Sequence, residues 1–404
     1  MHVQPQARFS YLVLSFGTRL LLSCIFTASM LYRIQVLQLD PLQLVLVGTM
    51  LEAAAFALEI PTGVVADVYS RRLSVVLGVA FLGLGALSEV WLGSFVGSLL
   101  AQVVWALGYT LMSGATEAWI TDELGVEVVE ALFLKAAQLN SIASLLGIGL
   151  GVALATIGLV WPIVGGGLAL VGLAISIRWF MPETQFSPAP AAERQSWGRF
   201  GATLGHGWQA VRGQPVLLSI MVMSAIAGAA SEGYDRLWEA HLLNNIGLPT
   251  WLDLQPVSWF GAIAALGTLA SLVAVIVIKR LASNTTERSI WLLRWQYGLL
   301  AAGLLGLALT QQFAIALFWI MLIRMLRQSI QPLYSAWLNR LIESRSRATI
   351  ISINSQADAF GQILGGPIIG LIASRMGLPA AFVAASCCLW PMLVLLRQRQ
   401  LNRQ

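Results

Sequence analysis

Long apolar runs fill most of the sequence and leave few folds open to it. A helix needs about 20 mostly apolar residues to cross a bilayer, and only helices and closed barrels satisfy their backbone hydrogen bonds in lipid. The runs lack the strict alternation of barrel strands, so they predict helices. We expect twelve spans, near residues 10–36, 41–66, 72–92, 96–121, 131–157, 160–180, 214–242, 256–279, 289–309, 313–342, 346–372 and 377–397.

The composition excludes a soluble protein and several kinds of site. Hydrophobic residues make up 57% of the chain and charged residues 11%, whereas soluble domains contain about 25% charged residues. Cys24, Cys387 and Cys388 lie in apolar runs without CxxC spacing, so we expect neither a disulfide nor a metal site. No cofactor is expected, and the net charge of +5 is no signal for nucleic acid.

The basic residues fall almost entirely on alternate loops. With both termini inside, the outer loops hold only Arg33 and Arg375, and all the larger basic clusters lie inside. This asymmetry follows the positive-inside rule. It predicts a multi-pass protein of the plasma (inner) membrane with both termini in the cytoplasm.

The chain is predicted to form two six-helix bundles, at residues 1–180 and 214–404. The linker at 181–213 contains Pro188-Ala189-Pro190, which cannot continue a spanning helix. Apolar residues recur within it at helical spacing, which predicts either an amphipathic helix on the membrane surface or an ordinary linker helix. They are Trp197, Phe200, Leu204, Trp208 and Val211.

An ungapped internal repeat supports the division into two halves. Ala118-Trp119 recurs as Ala336-Trp337, and at the same offset Gln138 recurs as Gln356 and Leu146-Gly147 as Leu364-Gly365. Each set falls on the fourth and fifth spans of its half. Two related halves are typical of transporters whose binding site lies between repeats.

A short motif joins the second and third predicted spans. The loop contains Gly63, then Asp67 four residues later, then the basic pair Arg71 and Arg72. It resembles the loop signature of the major facilitator superfamily, as do the helix count, the topology and the position of the linker. The motif departs from that signature at Val68, where the family often has a basic residue, and at Ser70, where it usually has glycine.

The resemblance implies an all-α fold of twelve transmembrane helices in two pseudo-symmetric bundles, and a cytoplasmic latch. Asp67 lies at the membrane boundary, where a carboxylate can accept hydrogen bonds from a helix N-terminus. The predicted partner is the start of span 11, near Ser346 and Thr349. Arg71 and Arg72 are predicted to pair with nearby acids, or alternatively to act only as topology markers.

Charged residues inside four predicted spans form the candidate site. An ionisable residue within a span is costly and usually faces a cavity or a partner. The resemblance implies that spans 1, 4, 7 and 10 line a central cavity, and polar stripes fall on those four spans. On span 1 the stripe is Ser15, Arg19, Ser23 and Thr27. We therefore predict a substrate or proton site that includes Arg19, Glu117, Glu232, Arg324, Arg327 and Gln328.

Three further acids are candidate proton carriers, namely Glu52 and Glu59 on span 2 and Asp358 on span 11. The competing interpretation is that the intramembrane charges form structural ion pairs that only orient helices. The pairs considered are Arg19 with Glu117, and Arg324 or Arg327 with Glu232 or Asp235. The sequence alone leaves both interpretations open.

The predicted function is secondary active transport by alternating access. No P-loop pattern occurs, which disfavours ATP hydrolysis, and the scattered His2, His206 and His241 argue against an enzyme. The leading hypothesis is a monomeric antiporter that exports a small amphipathic organic molecule in exchange for protons. The alternatives are an uptake symporter or facilitator of a polar metabolite, and a transport-dead receptor or accessory protein.

Overall fold

Helices account for all the regular structure in the described residues, which in this computed structural model are 3–188, 215–281, 286–341 and 347–401. Twelve helical segments are long and apolar enough to cross a membrane, which confirms the predicted number of spans. We call them span 1 to span 12. In order they are Gln4–Val36, Pro41–Tyr69, Arg71–Leu92, Phe95–Leu124, Val126–Ala155, Val160–Phe180, Leu217–Ile246, Pro256–Ile278, Glu287–Leu309, Phe313–Arg340, Ile350–Met376 and Leu378–Leu396.

The α-helices that make up these spans show one pattern shared by the two halves. Spans 1 and 7, which open the halves, both end in a π-helical turn of five residues, at Tyr32–Val36 and Leu242–Ile246. The α-helices are Val3–Leu31, Pro41–Val64, Arg71–Leu92, Phe95–Met112, Ala115–Leu124, Val126–Ala155, Val160–Phe180, Pro215–His241, Pro256–Leu281, Thr286–Leu309, Phe313–Leu341, Arg347–Met376 and Leu378–Leu401.

Span 4 is interrupted by two residues, Ser113 and Gly114. Its first helix ends at Met112 and its second begins at Ala115, with Gly114 between them at φ 72°. This left-handed backbone strains any residue that carries a Cβ. The interruption lies three residues before Glu117, which stands in the first turn of the second helix.

The chain separates into two compact units. Unit 1 comprises residues 1–38 and 50–201, and unit 2 comprises residues 39–49 and 202–404. The predicted halves were continuous in sequence, whereas the first part of span 2 belongs to the second unit. The predicted amphipathic helix of the linker, from Trp197 to Val211, lies outside the described residues.

Glycines bring spans 1 and 5 of unit 1 into backbone contact. A Cβ added at Gly147 would lie 2.2 Å from the carbonyl oxygen of Leu20, and one at Gly151 would lie 2.7 Å from that of Cys24. Small residues at such contacts let helix backbones approach closely in a membrane. Close packing is therefore the role of these two glycines, whereas Gly149 between them faces open space.

Spans 7 and 11 of unit 2 meet in the same way. A Cβ at Gly361 would lie 2.0 Å from the carbonyl oxygen of Ala225, and one at Gly365 would lie 2.5 Å from the Cβ of Ala229. Gly365 is the counterpart of Gly147 in the internal repeat. The repeat thus preserves a point of close helix contact in each unit.

One predicted loop residue is buried instead. Arg33 was placed on the outer loops, but it lies in the π-helical turn of span 1 and is 8% exposed. Its Nε donates to Glu89 Oε1 at 2.6 Å, and its second guanidinium nitrogen donates to Oε2 at 3.0 Å. Glu89, near the end of span 3, is 4% exposed. The π-helical turn keeps Arg33 within the bundle, where this paired carboxylate compensates its charge.

Candidate functional site

The predicted gating motif lies at the face of unit 1 where span 1 begins. Asp67 sits in the π-helical turn Val65–Tyr69, which ends span 2. Such turns are often found at functional positions in helices. Ser70 has extended backbone at φ −175° and caps span 3 by accepting from Leu73 N at 2.9 Å. This conformation does not require the glycine that the family usually has there.

Both arginines of the motif contact acids in unit 1. The Arg71 guanidinium donates to the Ala118 carbonyl oxygen at 2.8 Å and also pairs with Asp122 on span 4. Arg72 donates from its backbone nitrogen to Glu183 Oε1 at 2.8 Å, and its Nε lies 4.0 Å from Oε2. The two arginines thus connect span 3 to span 4 and to the segment after span 6.

Glu123 and Trp119 also hold that segment, and neither was predicted. Glu123 accepts from Thr184 N at 2.6 Å, from Thr184 Oγ1 at 2.8 Å and from Gln185 N at 3.0 Å. Trp119 Nε1 donates to the Pro182 carbonyl oxygen at 2.6 Å. The sequence feature that could have indicated this role is a polar side chain at the end of an apolar span. The first residues of the linker are therefore fixed to span 4.

The predicted partner of Asp67 falls outside what the structure describes. Ser346 lies in the undescribed stretch 342–346, and the side chain of Thr349 is likewise not described. Asp67 itself is half-buried at its position in span 2. Its role as a latch therefore stays a prediction.

The predicted site residues of unit 1 lie on several spans. Arg19 and Glu117 are both exposed, and neither is in an ion pair with another described residue. Glu117 interacts electrostatically with Tyr11. Tyr109 on span 4 interacts with Glu52 and Glu59 on span 2, an association that the sequence did not indicate.

Part of the polar stripe of span 1 binds another helix. Ser15 Oγ and the side-chain amide of Asn140 exchange hydrogen bonds at 2.8 and 3.0 Å. Ser23 Oγ and Ser144 Oγ lie 3.0 Å apart. These serines were predicted to face a cavity, but they satisfy their hydrogen bonds on span 5. Interhelical hydrogen bonding is a sufficient reason for their spacing.

Two intramembrane ion pairs lie among the described residues of unit 2. Glu232 is 1% exposed and its Oε2 lies 3.4 Å from Arg236 Nε on the same span. Asp235 receives both terminal nitrogens of Arg327 from span 10, one of them at 2.7 Å. The guanidinium of Arg327 also lies 5.5 Å from the ring centroid of Tyr234. The sequence had left Glu232 and Asp235 as equal partners for Arg327, and the structure pairs Arg327 with Asp235.

Unit 2 also contains two adjoining cavities. The first has a volume of 180 Å³ and is lined by Tyr234, Asp235, Tyr297, Arg327, Gln331 and Asp358, among others. The second has a volume of 300 Å³ and is lined by Ser224, Tyr297, Gln331, Tyr334, Asn354 and Asp358, among others. Asp358, Tyr297 and Gln331 border both, so they stand where the two cavities meet.

The remaining predicted residues of unit 2 fall in different places. Asp358 accepts a hydrogen bond from Gln362 Nε2 at 2.9 Å. Arg324 lies against span 8, because a Cβ at Gly267 would be 2.3 Å from its Nε, and it interacts electrostatically with Glu239. Gln328 is exposed. Of the predicted set, Arg327 and Asp358 are thus the two that border the cavities.

Three tyrosines of the cavity walls were missed in the sequence, namely Tyr234, Tyr297 and Tyr334. Tyr334 donates from its hydroxyl to Asn354 Oδ1 at 2.9 Å, which joins spans 10 and 11. A tyrosine within an apolar span is ordinary core composition. Only its position one helical turn from a polar stripe could have suggested a role.

Comparison with known proteins agrees with this architecture. No family model matches the sequence. A curated relative, the uncharacterized MFS-type transporter YxaM of Bacillus subtilis (strain 168), is 23% identical over 354 residues, which is 86% of this chain and 84% of the relative.

Solved transporter structures share the fold. A point mutant of the nucleoside transporter NupG superposes with a TM-score of 0.81 at 14% identity, covering 97% of this chain and 99% of NupG. A bacterial homologue of the human lysosomal transporter Spinster gives 0.70 at 15% identity, over 98% of this chain and 94% of the homologue. A POT family transporter gives 0.68 at 13% identity, over 98% and 95% of the two chains.

These likenesses cover most of the chain or nearly all of it, and they agree with the twelve spans. The curated relative is described as an MFS-type transporter, and the three structural neighbours are transporters. The chain is therefore similar in sequence to an MFS-type transporter and has the twelve-span fold of solved transporters of the major facilitator superfamily.

Proposed function

We propose that the protein is a secondary active transporter that exports a small amphipathic organic molecule in exchange for protons. The observation that carries this proposal is the pair of cavities in unit 2. Their walls combine tyrosine rings and aliphatic side chains with Asp235, Arg327 and Asp358. Such a lining suits a molecule with an apolar body and one polar or charged group.

The acids supply candidate proton carriers in both units. Glu52, Glu59 and Glu117 lie on spans 2 and 4 of unit 1, and Asp358 lies on span 11 of unit 2. An acidic side chain within a span is a functional candidate because its presence there is costly. We assign proton transfer to these four acids. Arg19 and Arg327 are the cationic groups whose interactions would change when an acid gains or loses a proton.

The proposed orientation follows from the basic residues. We place both termini in the cytoplasm and the protein, as a monomer, in the plasma (inner) membrane. The face of unit 1 that carries Asp67, Arg71 and Arg72 is then cytoplasmic. Movement of substrate from that face to the other would be export.

One observation favours the alternative of a polar metabolite. The second cavity is bordered by amides and hydroxyls on spans 7, 10 and 11, including Gln331, Asn339, Asn354 and Ser335. Such groups can recognise sugars, amides or nucleobases by hydrogen bonding. NupG, which shares the fold, is a nucleoside transporter. The alternative is uptake or facilitated diffusion of such a solute.

Transport in proteoliposomes would decide between these functions. We expect wild-type protein to move a lipophilic amine such as benzylamine against its gradient when an opposing proton gradient is imposed, because exchange couples the two flows. A proton ionophore should abolish accumulation while leaving counterflow intact. Accumulation of uridine or glucose with inward proton flow would instead support the alternative. Counterflow of none of these solutes would contradict transport of either class.

Asp67→Asn tests the latch on the same preparation. A carboxylate at a helix N-terminus contributes up to about 2 kcal/mol, so we expect its loss to slow transport by roughly tenfold. Substrate affinity should change by less than about twofold, because Asp67 lies at the end of its span and lines neither cavity. Asp40→Asn is the matched control, since Asp40 caps span 2 by accepting from Gln43 N and asparagine caps equally well. Equal losses of rate and affinity in Asp67→Asn would contradict the latch.

A further inference from the structure

Spans 7, 10 and 11 contain an imbalance of charge away from their ends. They carry four acids, Glu232, Asp235, Glu239 and Asp358, against the arginines at 236, 324 and 327. Arg236 lies 3.4 Å from Glu232, and Arg327 is bound through two nitrogens to Asp235. Arg324 interacts electrostatically with Glu239. Glu232 and Asp235 are thus each in an ion pair with an arginine, whereas neither of these pairs includes Asp358.

Arg327 is a cation that interacts electrostatically with Asp358. Its terminal nitrogens, however, already donate hydrogen bonds to another carboxylate. Its two terminal nitrogens face the carboxylate of Asp235, and its plane lies near the ring of Tyr234. Asp358 is instead bound by the neutral amide of Gln362 at 2.9 Å. Among the described residues, no cation forms an ion pair with Asp358.

The backbone fixes Asp358 at the junction of the two cavities. A Cβ at Gly228 would lie 2.2 Å from the carbonyl oxygen of Asp358 and 3.2 Å from its Oδ1. The glycine therefore lets span 11 rest directly on span 7 at Asp358, with no side chain of residue 228 beside the carboxylate. Because both cavities are bordered by Asp358, a ligand in either one can reach it.

The other groups around Asp358 suit an organic cation. From span 9, Tyr297 borders both cavities and interacts electrostatically with Asp358. Span 10 contributes Tyr334, and span 7 contributes Tyr234 and Asp235. Tyrosine rings attract cations at their faces. The Arg327–Asp235 pair is neutral as a whole, so the carboxylate of Asp358 sets the sign of the charge that the site prefers.

We propose that Asp358 binds the ammonium group of a small organic amine, with the rest of the ligand lying in the second cavity against Tyr297 and Ile330. This inference rests on the proposed transport function and names its substrate class. A carboxylate holds either a proton or the ammonium group, so protons and amine compete for Asp358. The competition supplies the exchange that a proton-driven exporter requires.

Calorimetric titration of the detergent-purified full chain tests this assignment. The probes are benzylamine, phenethylamine and cyclohexylamine, with benzyl alcohol as the neutral match for the first. We expect the amines to bind and the alcohol to bind at least about tenfold more weakly, because it lacks the charge. Between pH 8 and pH 5 the amine affinity should fall progressively while the amines remain cations.

Asp358→Asn is expected to weaken benzylamine binding about 10- to 100-fold and to remove its dependence on pH, since a charged hydrogen-bond partner is lost. Asp253→Asn, on an exposed loop with φ 47° that asparagine tolerates, is the matched control and should bind as wild type does. If Asp358→Asn fails to fold, two measurements on the wild-type protein still test the proposal. They are the comparison of benzylamine with benzyl alcohol and the dependence of amine affinity on pH.

Equal affinities for benzylamine and benzyl alcohol, unchanged binding in Asp358→Asn, or no binding of any of the three amines would overturn the proposal. The proton-driven transport experiment, repeated with neutral amphipathic solutes such as benzyl alcohol, separates that outcome from failure of the proposed function. A protein that exchanges protons for a neutral solute would refute the amine site alone.

Discussion

Replacing Glu89 by alanine is expected to cost about 3–5 kcal/mol of stability, because it leaves the guanidinium of Arg33 buried without a counter-charge. The pair is enclosed, with side-chain exposures of 10% for Arg33 and 5% for Glu89. Nε and one terminal nitrogen of the guanidinium each donate to a different carboxylate oxygen, at 2.6 and 3.0 Å. The bidentate geometry leaves little room for another acceptor to replace the carboxylate.

Thermal or denaturant unfolding in detergent would measure this cost. The double variant Arg33→Met, Glu89→Leu is expected to recover most of the loss, since a buried pair can be replaced by apolar side chains of similar volume. Asp122→Ala is a control that also breaks an arginine–carboxylate pair, but at a more exposed position where the loss should be at most about 1 kcal/mol. A loss of similar size in Glu89→Ala and Asp122→Ala would show that burial does not govern the Arg33 pair.

The same pair shows where prediction from the sequence ends. The twelve spans could be predicted because each one depends only on a local run of apolar residues, which lipid requires. The position of Arg33 was wrong because counting basic residues on loops treats every arginine near the end of a span as exposed. Its burial depends on a π-helical turn in span 1 and on an acid in span 3, and no local pattern contains both.

The candidate site divides in a similar way. Asp358 and Arg327 could be identified because a charge within an apolar span is conspicuous. Their different roles could not, since these depend on which partner each one meets across the bundle. Arg327 meets Asp235, whereas Asp358 accepts a hydrogen bond from the amide of Gln362 and packs against Gly228. Tyr297 carried no signal, because an aromatic residue is equally suited to an apolar core.

The helical spacing of polar residues was also ambiguous. Ser15 and Ser23 recur with Arg19 on one stripe of span 1, which predicted a cavity lining. In the structure the two serines bond to span 5, and Arg19 is exposed. A stripe reports only that one face of a helix is polar. Whether that face meets another helix or a cavity is decided by the small residues that set how closely the helices pack, as Gly147 does here.

Gly361→Val is expected to have the second large effect on stability. Its Cβ would lie 2.0 Å from the carbonyl oxygen of Ala225 and 2.8 Å from that residue's Cα. These are backbone atoms, so no side chain can rotate away and spans 7 and 11 must separate. Overpacking of a well-packed core costs about 1–3 kcal/mol and occasionally more. We expect the upper end of that range, measured by thermal unfolding in detergent.

The separation should also disturb ligand binding, because Asp358 lies one helical turn before Gly361 and rests on span 7 at Gly228. We therefore expect Gly361→Val to lower benzylamine affinity even at temperatures where the protein stays folded. Gly149→Val is the matched control on span 5, since a Cβ there meets nothing within 4 Å, and it should leave both stability and binding near wild type. If Gly361→Val were as stable as Gly149→Val, the close contact between spans 7 and 11 would not be what positions Asp358. The carboxylate would then have to be held by its hydrogen bond to Gln362 alone, and Gln362→Ala would become the variant that abolishes binding.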